Sequence, residues 1–186
     1  AEAKAAIARG DCYQVNYTAA LCGTLAGGGE QAAAALFAAL QRAQPGGYAA
    51  CLDLGGEAVL SVSPELFFDW QSGPTGTAGE ILARPMKGTA PRGAGPEEDA
   101  TQAARLRASP KERAENVMVV DLLRNDLSRI AEPHSVQVPR LFHTEALPAV
   151  WQMTSDVRAR TRAGTRLWDV FAALFPCGSV TGAPKA

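Results

Sequence analysis

The chain has 186 residues, of which 18 are basic and 19 acidic, so it carries no net field to recruit nucleic acid or an anionic membrane surface, and a bound anion has to be held by local geometry. Its length supports one substantial core. Cys12, Cys22, Cys51 and Cys177 show no C-x-x-C spacing and only His134 and His143 could join them, which argues against a zinc site or a disulfide scaffold, while the absence of a signal peptide or a long apolar run leads to the expectation of a soluble, cytoplasmic protein with no membrane partner.

In chain order, "AEAKAAIARG" reads as a helix end stopped by Gly10, and "DCYQVNYTAAL" alternates Tyr13, Val15 and Tyr17 against Gln14, Asn16 and Thr18, the pattern of a strand. The run "QAAAALFAALQRAQ" has helical composition and ends at Pro45-Gly46-Gly47. "YAACLDL" and "AVLSVS" around Gly55-Gly56 predict a hairpin, and "ELFFDW" and "EILARPM" predict a second strand pair. Lys87 is expected at a strand end, entering a Gly/Pro turn. A helix over roughly 97–108 follows, and Ser109-Pro110-Lys111-Glu112 has the S-x-x-E form of a capping box that opens a second helix. Thereafter come a short strand "SVQVP", a strand "AVWQMTSDVRAR", a helix "LWDVFAALF" and a turn "PCGSVTGAPK". Strands, then helices, then strands again predict an α+β fold rather than a doubly wound parallel sheet. Ala186 falls where a helix would normally start, which suggests a partial chain.

Several residues invite a chemical reading beside a plain one. Lys87 lies between Arg84 and Arg92, cationic neighbours that would favour a neutral, nucleophilic amine; an ordinary lysine is neutral in only roughly one molecule per few thousand at pH 7. The plain alternative is a surface lysine. Glu65 precedes the apolar "LFF" and could donate a proton, or could simply be a solvated strand start. Glu115 shares a helix face with Met118, Val119 and Leu122, so it needs a partner, either Mg²⁺ or an arginine. Asp121, Arg124, Asn125 and Asp126 read best as a cluster at the helix end. "CGSVTGAPK" could cradle a carboxylate or phosphate, or be a structural turn; it lacks the Walker pattern.

Taken together, "GDCYQVNYT", "SPELF", "RPMKGTAPRG", "AENVMVVDLLRNDLSRIA" with "VQVPRLF", and "FPCGSVTGAPK" resemble the chorismate-utilising enzymes, the family of anthranilate synthase component I, aminodeoxychorismate synthase component I, and isochorismate and salicylate synthases. The motifs occur in family order through nearly the whole chain. The resemblance implies an antiparallel β-sheet sandwich with helices outside, incomplete at the C-terminus, of which residues 1–186 are the central part of a single catalytic domain. A lysine before Gly88-Thr89 marks the branch that aminates chorismate at C4, where it is the covalent nucleophile. Glu65 then falls at the general acid, Glu115 at one Mg²⁺ ligand, and Gly88, Thr89, Gln152, Gly178, Ser179, Thr181, Gly182, Ala183 and Lys185 at the substrate-lining positions. Ammonia is expected from a glutamine amidotransferase subunit, the product being 4-amino-4-deoxychorismate for p-aminobenzoate and folate synthesis. The alternatives implied are an anthranilate or isochorismate-type reaction, or a silent fragment that binds ligand or subunit. Two positions depart from the pattern. Trp151-Gln152 stands where many members have a histidine, and glutamine cannot exchange a proton at neutral pH. Cys177 replaces a common glycine. The family also continues beyond this turn into strands with a further Mg²⁺ glutamate, so the 186 residues alone are expected to be inactive.

Overall fold

The structure, a computed structural model, describes residues 2–25, 27 and 29–182. Contacts divide the chain into two compact units, Thr18–Leu66 and the remainder. In the first, helix α2 (Gly29–Ala43) lies against the hairpin of β1 (Tyr48–Asp53) and β2 (Ala58–Ser63). The hairpin pairs from Tyr48↔Ser63 to Asp53↔Ala58, and the Leu54 N–H donates to the Glu57 carbonyl at 2.8 Å across the Gly-Gly turn. None of this unit's described residues is buried.

The second unit begins with α1 (Glu2–Arg9) and carries a five-stranded sheet. Its spine is β7 (Val150–Arg160), which β4 (Glu80–Arg84) and β5 (Met86–Pro91) pair end to end along one edge: Glu80↔Arg160 to Ala83↔Val157, then Met86↔Thr154 to Pro91↔Val150. Along its other edge runs β6 (Gln137–Ala146), while β3 (Leu66–Gln71) flanks β4. Helices α3 (Pro96–Ala108) and α4 (Pro110–Ser128) connect β5 to β6, and α5 (Leu167–Leu174) and α6 (Gly178–Thr181) follow β7. The pairings β4–β7, β5–β7 and β6–β7 are all antiparallel, and with segregated helices they make the fold α+β as expected.

Local chemistry explains the helix starts. The Ser109 hydroxyl accepts the Glu112 N–H at 3.4 Å, with Pro110 at the first helical position. The reciprocal half of the capping box does not form, because the Ser109 N–H donates to Leu106 O instead. From α4, Val119, Val120, Leu123 and Leu127 pack on Ile81, Ala83, Val157 and Ala159 of the sheet, with Val170, Ala173 and Leu174 of α5. Each of the larger aliphatic chains contributes about 1.5–3 kcal/mol by its removal from water.

One polar clamp holds α3 to the strand ends. The Asp99 carboxylate accepts two bonds from Arg92 (2.6 and 2.7 Å), one from the Gly93 N–H and one from the Trp151 indole at 2.8 Å. The Arg92 guanidinium also lies over the Trp151 ring. These hydrogen bonds, the Arg92 pair foremost, hold the Asp99 carboxyl far below the usual carboxylate range.

Three sequence expectations change. Residues 11–21 form no strand beyond an isolated bridge at Gln14, and Tyr13 and Tyr17 are exposed. Lys87 is the second residue of β5 rather than a strand end. "PCGSVTG" contains the single helical turn α6, not only a loop. Among the described residues, no helix is long and apolar enough to cross a membrane.

Candidate active site

A register shift makes Lys87 unusual. Met86↔Thr154 and Thr89↔Gln152 bracket a slip of one residue, so Lys87 and Gly88 together face the single residue Met153. Gly88 has φ +102°, a left-handed conformation that favours glycine. The bulge frees the Lys87 side chain from strand alternation, and its Nζ donates to the Ser179 carbonyl of α6 at 2.9 Å. The same carbonyl accepts the Asn16 side-chain amide at 3.3 Å, and Asn16 Oδ1 in turn accepts the Gln14 amide at 2.7 Å.

Three sequence motifs thus meet at one carbonyl: "YQVN", "MKGT" and "GSVTG". Gly182 makes the meeting possible, since a Cβ there would lie 2.5 Å from the Gln14 carbonyl oxygen. Gly178 and Ser179 are buried, and the Ser179 hydroxyl contacts the Cys177 thiol at 3.1 Å. Thr181 bonds back to the Cys177 carbonyl. Across the β5–β7 pair, the Thr89 hydroxyl donates to Gln152 Oε1 at 3.1 Å. Ala183 and Lys185 lie outside the described residues.

Behind the bulge stands Asn116, a residue that the sequence reading passed over. It is 0% exposed, and its side-chain amide reaches the carbonyls of Lys87 and Met153, each at 3.4 Å. Its signal was available: Asn116, Val119, Val120, Leu123 and Leu127 follow the i, i+3, i+4, i+7 spacing of a buried helix stripe.

Glu115 sits at the margin of that stripe rather than within it. Its side chain is 44% exposed and lies 3.6 Å from Lys111. A magnesium ion commonly takes one or two carboxylates and completes its shell with water and substrate oxygens, and a half-exposed Glu115 suits that role. The described residues contain no cluster of three or more His, Cys, Asp or Glu able to hold a metal, so any such ion needs oxygens from elsewhere. Glu65 belongs to the Thr18–Leu66 unit, where its N–H donates to the Ser63 hydroxyl at 3.2 Å and its carbonyl accepts from that hydroxyl at 3.1 Å.

Residues 1–186 match the family profile described as chorismate binding enzyme. The chain is 48% identical over 176 residues to an aminodeoxychorismate synthase component 1 of Klebsiella aerogenes, covering 95% of this chain and 37% of that protein. It is 39% identical over 186 residues to an anthranilate synthase component 1 of Streptomyces coelicolor, covering 100% of this chain and 34% of that one. Among solved structures, anthranilate synthase component I from Streptococcus pneumoniae TIGR4 superposes with a TM-score of 0.76 at 29% identity, over 99% of this chain and 38% of that one.

Proposed function

This chain belongs to the chorismate binding enzymes, and from that premise we propose that its protein is an aminodeoxychorismate synthase component I, which aminates chorismate at C4. The observation that carries the reading is Lys87 itself, lifted out of strand alternation by a bulge and aimed at the α6 carbonyl where two further motifs converge. A relative 48% identical to this chain carries the aminodeoxychorismate synthase component 1 name.

In this reading the neutral Lys87 amine attacks C2 of chorismate, the ring double bonds shift, and the C4–O bond breaks. Glu65 donates the proton that lets the 4-hydroxyl leave as water. Ammonia then attacks C4, the double bonds shift back, and the C2–N bond to Lys87 breaks. The covalent step divides one poor displacement into two easier ones. The Ser179 carbonyl orients the amine before attack, and the turn from Gly178 to Gly182 is assigned to the substrate-lining loop. Gln152 fixes the Thr89 hydroxyl and serves as a hydrogen-bonding partner without exchanging protons. Magnesium, with Glu115 as a ligand, would supply positive charge to a substrate carboxylate. Ammonia would come from a glutamine amidotransferase partner, consistent with the "component 1" naming of the relative. The chain spans 37% of that relative's length, so activity is to be measured in the full natural polypeptide.

Lys87→Ala tests the assignment. The expected result is loss of C4 amination by at least about 10³-fold with KM for chorismate little changed, read as aminodeoxychorismate formation from chorismate and ammonium. Wild-type amination in Lys87→Ala, or anthranilate as the wild-type product, would contradict it.

A further inference from the structure

We propose that Asn116 is a positioning residue for Lys87: a buried amide that holds the β5 bulge open and thereby sets where the lysine amine points. The inference rests on Lys87 being the reacting amine, as proposed above.

A bulge interrupts the strand ladder and leaves backbone groups in need of other partners. Here the Lys87 carbonyl receives a side-chain donor from Asn116, and the neighbouring Met153 carbonyl receives the second N–H of the same amide. The orientation of the amide follows from its surroundings. On the far side, Asn116 Oδ1 accepts the Ser155 hydroxyl at 2.6 Å, and the Ser155 oxygen accepts the Phe142 N–H at 3.1 Å. The two carbonyls can only accept, so the amide presents its NH₂ to them and its Oδ1 to the Ser155 hydroxyl, which donates there while its oxygen takes the Phe142 N–H.

The chain of bonds also ends at a second irregularity. The β6–β7 register slips between Arg140↔Asp156 and His143↔Thr154, and Phe142 within the slip has φ +56°. One directional polar path therefore crosses β7 and joins both of its bulged neighbours. Asn116, Ser155 and Met153 are each 0% exposed, so water cannot substitute for a lost partner without rearrangement. The two contacts at 3.4 Å are individually weak, and their value lies in direction: only a group with two donors on one side and an acceptor on the other satisfies the path.

Asn116→Asp is close to isosteric and reverses that polarity, setting a carboxyl oxygen against two carbonyls. In the full-length protein we measure kcat and KM for chorismate, thermal stability, and acetylation of Lys87 by an N-hydroxysuccinimide ester, with Lys111 and Lys4 as internal references. The expected result is a kcat lowered by about tenfold or more with KM within about twofold, and a several-fold change in Lys87 acetylation relative to the two references. Ser155→Ala, which removes only the hydroxyl supporting the amide, shifts the same ratio in the same direction and decides the matter if Asn116→Asp does not fold. Lys87 acetylation unchanged relative to Lys111 in the folded variant overturns the proposal, whatever the fall in kcat. If Lys87→Ala still aminates chorismate, the nucleophile assignment fails by itself, and the acetylation ratio still decides whether Asn116 sets the lysine.

Discussion

At the scale of single residues, the bulge makes the sharpest demand at Gly88. An added Cβ would lie 3.2 Å from Glu112 Cβ and 3.3 Å from both Glu112 Oε2 and Leu106 Cδ1, on a backbone with φ +102°. Gly88→Ala is therefore expected to destabilise the fold by about 1–3 kcal/mol, measurable as a lower urea midpoint; a midpoint equal to wild type would show that the bulge does not need glycine. Lys87 stood out in the sequence as a candidate because its setting, Met86-Lys87-Gly88-Thr89, is a chemical motif as well as a local pattern, and the structure adds the bulge that the pattern does not show. Asn116 was not, because the helix stripe was placed one residue early, on Glu115, Met118, Val119 and Leu122. A shift of one residue rotates a helix face by about 100°, enough to exchange a half-exposed glutamate for the buried asparagine.

At the scale of elements, the Arg92–Asp99–Trp151 clamp fixes α3 to the ends of β5 and β7, and it carries a pH signature. Hydrogen bonding from Arg92 depresses the Asp99 pKa in the folded state. Its stabilisation is therefore fully present above the unfolded carboxyl value, about 3.9, and is lost as pH falls through the depressed folded value. Asp99→Asn should lower the melting temperature at pH 7 and flatten the loss of stability below about pH 4, with Trp151 fluorescence as a local reporter; an acid profile parallel to wild type would refute the linkage. Elements whose pattern and flanking signals agree formed as read: the Gly-Gly hairpin, α2, the Ser109-capped α4, and β7. The alternation of residues 11–21 did not become a strand, since alternation specifies a face but supplies no neighbour to pair with. Instead, Gln14 and Asn16 direct their polar groups into the site around α6. The "KGT" run looked like a turn for a related reason, as a bulge and a turn use the same glycine chemistry and only the register across β7 separates them.

At the scale of the whole molecule, the buried core lies in one unit, built on β7, α4 and α5, while Thr18–Leu66 contributes no buried side chain among its described residues. Lys87 belongs to the unit that holds this core, and Glu65 belongs to Thr18–Leu66. The α+β class was readable from element order, whereas this division was not, because the hydrophobic periodicity of α2, β1 and β2 resembles that of elements that do bury a face. The chain also spans only 34–38% of the relatives and the solved structure compared with it, so the chemistry is best examined in the full natural polypeptide. The most direct measurement is intact-protein mass spectrometry after incubation with chorismate and Mg²⁺ in the absence of ammonia. The expected result is a chorismate-derived adduct that maps to Lys87 and disappears when ammonium is added. A folded, Mg²⁺-binding protein that turns chorismate over with ammonium yet never carries an adduct on Lys87 would contradict it.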